Sequence, residues 1–170
     1  MTVKEIYFAG GCFWGTEHYF KQIRGVISTE TGYANGDTDN PCYEEVYTDN
    51  TGFAETVHVV YDSDIISLRM LVELFFRSID PLSLNRQGND CGTRYRTGIY
   101  YTSDEDRDTI AAIYADVEGM VGEPLVVELE PLRNFYPAED YHQDYLDKTP
   151  HGYCHLPLAL ILMAREANKE

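Results

Sequence analysis

The sequence predicts an α+β two-layer sandwich, with helices packed on one face of a mainly antiparallel sheet. Three observations lead there. The first six elements run strand, helix, strand, strand, helix, strand, which is the split order of a ferredoxin-like βαββαβ core. The hydrophobic content of 44% and charged content of 25% are those of an ordinary globular chain. No internal repeat, low-complexity block or linker interrupts the 170 residues, a length that buries a core without staples, so 1–170 is expected to form one domain.

The elements follow in order. Lys4 to Ala9 reads as a strand, since β-branched and aromatic residues run into a Gly pair. Phe13 to Ile23 reads as a helix, stopped at Arg24-Gly25. Val26 to Tyr33 is a second strand, and Ala34 to Gly52 is a polar stretch with at most one helical turn, near Tyr43 to Val46. Ala54 to Asp62, "AETVHVVYD", is the clearest strand. Ser67 to Ile79 puts Leu68, Leu71, Val72, Phe75, Phe76 and Ile79 on one helical face, a core stripe. Pro81 to Arg96 is a second polar loop, leading to a strand at Thr97 to Thr102. Ser103 can cap a third helix whose first turn carries Asp104, Glu105 and Asp106, charges that suit the helix dipole. A strand at Pro124 to Leu132 and a fourth helix at Ala138 to Lys148 follow, and the tail from Leu156 has helical character.

Composition excludes several classes of function. A net charge of −16 opposes nucleic acid and anionic membranes, both of which require a basic surface. "MTVKEIYFAGG" lacks the basic start and apolar run of a signal peptide, and Leu156 to Ala164 is too short to span a bilayer. A cytoplasmic location is the resulting expectation. The four cysteines there are not expected to form structural disulfides, and no CxxC pair offers zinc spacing.

Chemistry is therefore sought at the cysteines and the two long loops, because long ordered loops in compact domains usually serve function. In "GGCFWG", Cys12 stands between a strand and a helix start, where free N–H groups and the dipole lower a thiol pKa. It reads either as a nucleophile or as a buried thiol packing with Phe13 and Trp14, and those two rings read as sheet packing or as an apolar wall beside a reactive sulfur. Glu55, at the start of a strand, is either a solvent-facing carboxylate or an acid whose pKa an apolar pocket raises. Tyr43 and Tyr95 lie on the loops and can donate to an oxygen gaining negative charge, unless they merely cover the core. Asp90 is a site residue or a turn residue ahead of Gly92. Cys154, in "HGYCH", is expected to be exposed and mobile, and reads as a resolving cysteine, as a surface cysteine of no consequence, or as part of a His/Cys metal site that lacks a matching second half.

Taken in order, "GGCFWG", "GYANG", "NPCYEEV", "GFAETVHVVYD", "RQGNDCGTRYRTGIYY", "FYPAEDYHQDYL" and "PHGYCH" resemble the A-type peptide methionine sulfoxide reductases, from about Ile6 to Cys154. The resemblance implies that Cys12 attacks the sulfur of the S epimer of methionine sulfoxide, free or in proteins. It implies that Phe13 and Trp14 hold the substrate methyl group, that Glu55 protonates or hydrogen-bonds the oxygen with help from Tyr43 and Tyr95, and that Asp90 organises the site. It further implies a sulfenic acid on Cys12, a disulfide with the recycling residue Cys154 in a C-terminal segment, 150–170, and reduction of that disulfide by thioredoxin or a similar dithiol. No metal or organic cofactor is then expected, and the chain is expected to act as a monomer. A sulfoxide is a poor electrophile until its oxygen is protonated, which is why an acid and phenols must face the sulfur.

Two departures from the commonest pattern matter. Cys42 precedes Tyr43 and Cys91 follows Asp90, so either can compete with Cys154 as the resolving thiol. The tail "LPLALILMAREANKE" can dock the C-terminal segment and restrict Cys154. A generic peroxide-reducing thiol protein using Cys12 and Cys154 is the competing enzyme; an acidic interaction domain with incidental cysteines is the non-enzymatic alternative.

Overall fold

The computed structural model describes residues 1–168. Its elements are β1 (Val3–Gly10), α1 (Phe13–Lys21), β2 (Val26–Ala34), α2 (Tyr43–Tyr47), β3 (Ala54–Asp62), α3 (Leu68–Arg77), β4 (Arg86–Gln87), β5 (Asp90–Cys91), β6 (Thr97–Tyr101), α4 (Asp104–Val121), β7 (Glu128–Pro131), β8 (Phe135–Pro137), α5 (Tyr145–Lys148) and α6 (Leu158–Glu166). The main sheet runs β7-β6-β1-β3-β2-β8. Its central four strands have the ferredoxin-like order, fourth, first, third, second, all antiparallel, and among the described residues only β6 and β7 pair in parallel.

The predicted core stripe is where the helices meet the sheet. In α3, Leu71, Val72 and Phe75 are fully buried, and Ser67 starts the helix by accepting from the Met70 N–H. Phe8 of β1 stacks on Phe20 of α1 at 4.6 Å and on Phe75 of α3 at 4.9 Å, so one ring ties the sheet to both helices. Burying such a side chain contributes about 1.5–3 kcal/mol. Ser103 caps α4 as the sequence implies, accepting from the Asp106 N–H.

On the sheet's other face, the chain leaves β7 and crosses to the far edge, where β8 pairs with β2. Buried Asn35 holds that crossing. Its side chain donates to the Pro131 carbonyl and accepts from the Arg133 N–H, while its backbone adopts φ 54°. Gly32 is required beneath it, because a Cβ there would lie 2.4 Å from Phe135 Cζ.

Several expectations are corrected. The fourth helix, Ala138 to Lys148, does not form as one element. It breaks into a 3₁₀ turn at Asp140–His142 and the single turn α5, with Asp144 between them at φ 53°. The buried Glu17 carboxylate accepts the Asp144 N–H at 2.8 Å, so a tertiary bond overrides local helix preference. The strand expected over Pro124 to Leu132 is confined to Glu128–Pro131. The polar loop Pro81 to Arg96 contains the β4–β5 hairpin and a 3₁₀ turn, Thr93–Tyr95. The helical tail is observed: α6 buries Ile161 and Ala164, and Arg165 bonds to Gln22 just past α1.

Candidate active site

Strand register assembles the site. Phe8 pairs with Val57 and Gly10 with Thr97, so the end of β1 and the starts of β3 and β6 share one end of the sheet. β2 finishes there too, with Ala34 opposite Ala54. Cys12 just beyond β1, Glu55 in β3, Tyr95 just before β6 and Tyr43 on the β2–β3 connection therefore converge. They line a cavity of about 60 Å³ with Phe13, Trp14, Asp90 and Tyr153. Seven of the eight side chains to which the resemblance gives a role meet here; Cys154 does not.

Cys12 is the N-cap of α1, and its thiol is buried. The helix start was expected to favour the thiolate. The structure reverses this: burial pushes the Cys12 pKa well above the ordinary value and the Glu55 and Asp90 charges push the same way, against the Trp14 and Gly15 N–H groups. Glu55 is only 2% exposed, and burial raises its pKa to about 8. The Phe13 N–H donates to its Oε1 at 3.1 Å and Arg94 lies close enough to oppose the shift, but desolvation outweighs both. At neutral pH the resting pair is thus a thiol facing a carboxylic acid, with Glu55 Oε2 left to carry the proton.

The phenols are held as donors. Burial pushes Tyr43 up to about 12, and Tyr95 is raised by burial and by the Glu55 charge. The Arg94 guanidinium lies 4.3 Å from the ring centres of both Tyr47 and Tyr95 and pairs with Asp49, which fixes Tyr95 from behind. Glu139 orients Tyr43 by accepting its N–H at 2.8 Å, and also accepts the Tyr33 hydroxyl at 2.7 Å. The apolar wall is as firmly placed. Trp14 stacks on Tyr145 at 3.8 Å and donates Nε1–H to His142 Nδ1 at 3.0 Å, and buried Phe13 packs against Tyr33 and His142.

Sequence reasoning missed Tyr153, which lines the cavity and donates to Asp90 Oδ2 at 2.9 Å. It also missed His142 and Glu139, which brace the rings and Tyr43. The available signal for Tyr153 was its position beside Cys154; His142 and Glu139 sit in a stretch read as an ordinary helix. Cys154 is corrected as well. It is half-buried rather than exposed and lines a different cavity with His18, Leu146, Leu156 and Ile161. Its thiol donates to the Leu156 carbonyl at 3.4 Å. Cys42 caps α2 and Cys91 is exposed on the β4–β5 hairpin; neither lines the Cys12 cavity.

A buried thiol opposite a protonated carboxyl and a set of phenols, beside an aromatic wall, defines a thiol-dependent oxidoreductase. Comparison with known proteins narrows the class. The profile described as peptide methionine sulfoxide reductase matches residues 4–170, and the chain belongs to that family. It is 50% identical over 159 residues to the peptide methionine sulfoxide reductase MsrA of Clostridium acetobutylicum, covering 94% of this chain and 98% of the relative. It is 52% identical over 156 residues to the corresponding protein of Clostridium perfringens, covering 92% and 99%. Among solved structures, reduced Mxr1 of Saccharomyces cerevisiae superimposes with a TM-score of 0.85 at 42% identity, covering 89% of this chain and 88% of that one. Methionine sulfoxide reductase A of Corynebacterium diphtheriae gives 0.80 at 36% identity, covering 89% and 77%. Mxr1 in complex with Trx2 gives 0.61 at 30% identity, covering 84% of each chain. Among the described residues, no helix is long and apolar enough to cross a membrane.

Proposed function

We propose that this chain reduces the S epimer of methionine sulfoxide, free or in proteins, through a sulfenic acid on Cys12 and a disulfide between Cys12 and Cys154. The observation that carries the reading is the fully buried Glu55 carboxyl beside Cys12 in a cavity of about 60 Å³, where burial favours the protonated acid. A sulfoxide bound there places its methyl group on Phe13 and Trp14 and its oxygen toward Glu55, Tyr43 and Tyr95. The Cys12 sulfur attacks the sulfoxide sulfur as Glu55 gives its proton to the oxygen, and the thiol proton replaces the one Glu55 lost. Oxygen ends on Cys12 and the thioether leaves: Cys–SH and R₂S=O become Cys–SOH and R₂S. Asp90 fixes Tyr153 at the cavity wall.

The sulfenic acid and the Cys154 thiol then condense to a disulfide with loss of water, and a thioredoxin-type dithiol reduces it by exchange. The electrons come from thiols, so the cycle calls on no metal or organic cofactor. We place the protein in the cytoplasm, where such dithiols are maintained, acting as a monomer, which sedimentation can check. The deciding experiment is turnover of resolved epimers together with peptide mapping of the oxidised protein. Reduction of the S form alone, abolished in Cys12→Ser, and a mapped Cys12–Cys154 bond are expected. Equal rates on both epimers would overturn the substrate assignment, and a bond to Cys42 or Cys91 would overturn the recycling assignment.

A further inference from the structure

Three consecutive residues, Tyr153, Cys154 and His155, lie beside the nucleophile's own turn, and the third is not accounted for by the reading above. Tyr153 points into the Cys12 cavity and Cys154 points away from it. The His155 ring packs against the "GGCFWG" turn. Its Nε2 is 2.9 Å from the Gly10 carbonyl oxygen, which only accepts, so Nε2 carries the hydrogen. Its Nδ1 is buried with no hydrogen-bond partner among the described residues. The two glycines beneath it make the contact possible. A Cβ on Gly11 would lie 3.1 Å from His155 Nε2, and one on Gly15 would lie 2.7 Å from His155 Nδ1 and 3.2 Å from Cys154 Sγ.

From this geometry we infer that His155 is a positioning residue that latches the recycling segment in its resting register, with Tyr153 in the cavity and Cys154 outside it, until the disulfide forms. The inference rests on Cys154 being the resolving thiol. A disulfide needs the two sulfurs about 2 Å apart, whereas here the two thiols open into separate cavities, with Tyr153 on the wall of the one that holds Cys12. The segment must therefore let go of Gly10 and of Asp90 for Cys154 to reach the sulfenic sulfur. In that step Cys12–SOH and Cys154–SH become Cys12–S–S–Cys154 and one water. The His155–Gly10 bond holds the resting register and is broken on the way. Removing one neutral hydrogen bond from the starting state alone speeds the step about three- to tenfold.

The test is a single turnover. Reduced enzyme is mixed with one equivalent of S-methionine sulfoxide and no external reductant. Methionine formed is followed beside loss of the Cys154 thiol, and the disulfide is mapped at the end. His155→Ala is expected to accelerate thiol loss about three- to tenfold relative to methionine formation. His155→Gln, whose amide N–H can still reach the Gly10 oxygen, is expected to restore the wild-type ratio, which a merely structural role would not do. Should the alanine variant fail to fold, His155→Asn, too short for that bond, carries the same comparison. Unchanged or slower disulfide formation in the variants lacking the bond, or a glutamine variant as altered as they are, overturns the latch. A disulfide that maps elsewhere overturns instead the recycling role of Cys154.

Discussion

Glu55→Gln isolates the proton that the proposed chemistry depends on. The amide keeps the size of the side chain and an oxygen to accept the Phe13 N–H, but cannot supply an acid. General acid catalysis typically contributes about 10²- to 10⁴-fold, so kcat/KM for S-methionine sulfoxide is expected to fall within that range. The pH dependence follows from the folded pKa of about 8, against 4.5 for an ordinary glutamate. Wild-type activity should decline as pH rises through about 8, where Glu55 loses its proton, and the variant's residual activity should lack that limb. Stability moves with the same group. Because its pKa is raised on folding, the native state binds more protons than the unfolded chain between about 4.5 and 8. That contribution is complete below the unfolded value and is lost as pH rises toward the folded one. At about 1.4 kcal/mol per unit, the loss across the window is on the order of 5 kcal/mol. Denaturant melts from pH 5 to 8.5 should show wild type losing more stability than the variant, the difference between the two curves being the contribution of Glu55. A variant within tenfold of wild-type activity, or parallel stability curves, would refute the assignment of a protonated Glu55.

Trp14→Ala removes one wall of the methyl pocket along with the Tyr145 stack, and kcat/KM should fall about 10- to 200-fold in a steady-state assay. Gly15→Ala drives a methyl group into His155 and Cys154, and a thermal melt should show a loss of about 1–3 kcal/mol from overpacking. Asn35→Ala strips the β7–β8 crossing of two side-chain hydrogen bonds and puts alanine, which tolerates the left-handed region less well than asparagine, at φ 54°; about 2–4 kcal/mol should be lost by denaturant titration, with turnover retained in the folded fraction.

Much of this was legible in the residues themselves. The βαββαβ order came from periodicity and caps that agree with the fold: the α3 stripe, Ser67 and Ser103 all do what their local chemistry suggests. The convergence of Cys12, Glu55, Tyr43, Tyr95 and Asp90 came from the family resemblance, and register explains it afterwards. What escaped was set by long-range contacts. Asp144 adopts a left-handed conformation because Glu17, more than a hundred positions earlier, accepts its N–H. Cys154 is covered because α6 seats against α1. The Cys12 pKa went the other way because a helix start competes with burial beside two carboxyl groups, and burial cannot be read from six letters.

The resting state of Cys12 also bears on how the protein meets the oxidants that create its substrates. Thiolates attack peroxides and alkylating agents, and the reaction rises with thiolate fraction and access. A cysteine kept as the thiol inside a cavity of about 60 Å³ is poor prey for both. If Cys12 is the nucleophile, as proposed above, the sulfur assigned to repair is thereby shielded from the oxidants whose damage it would reverse.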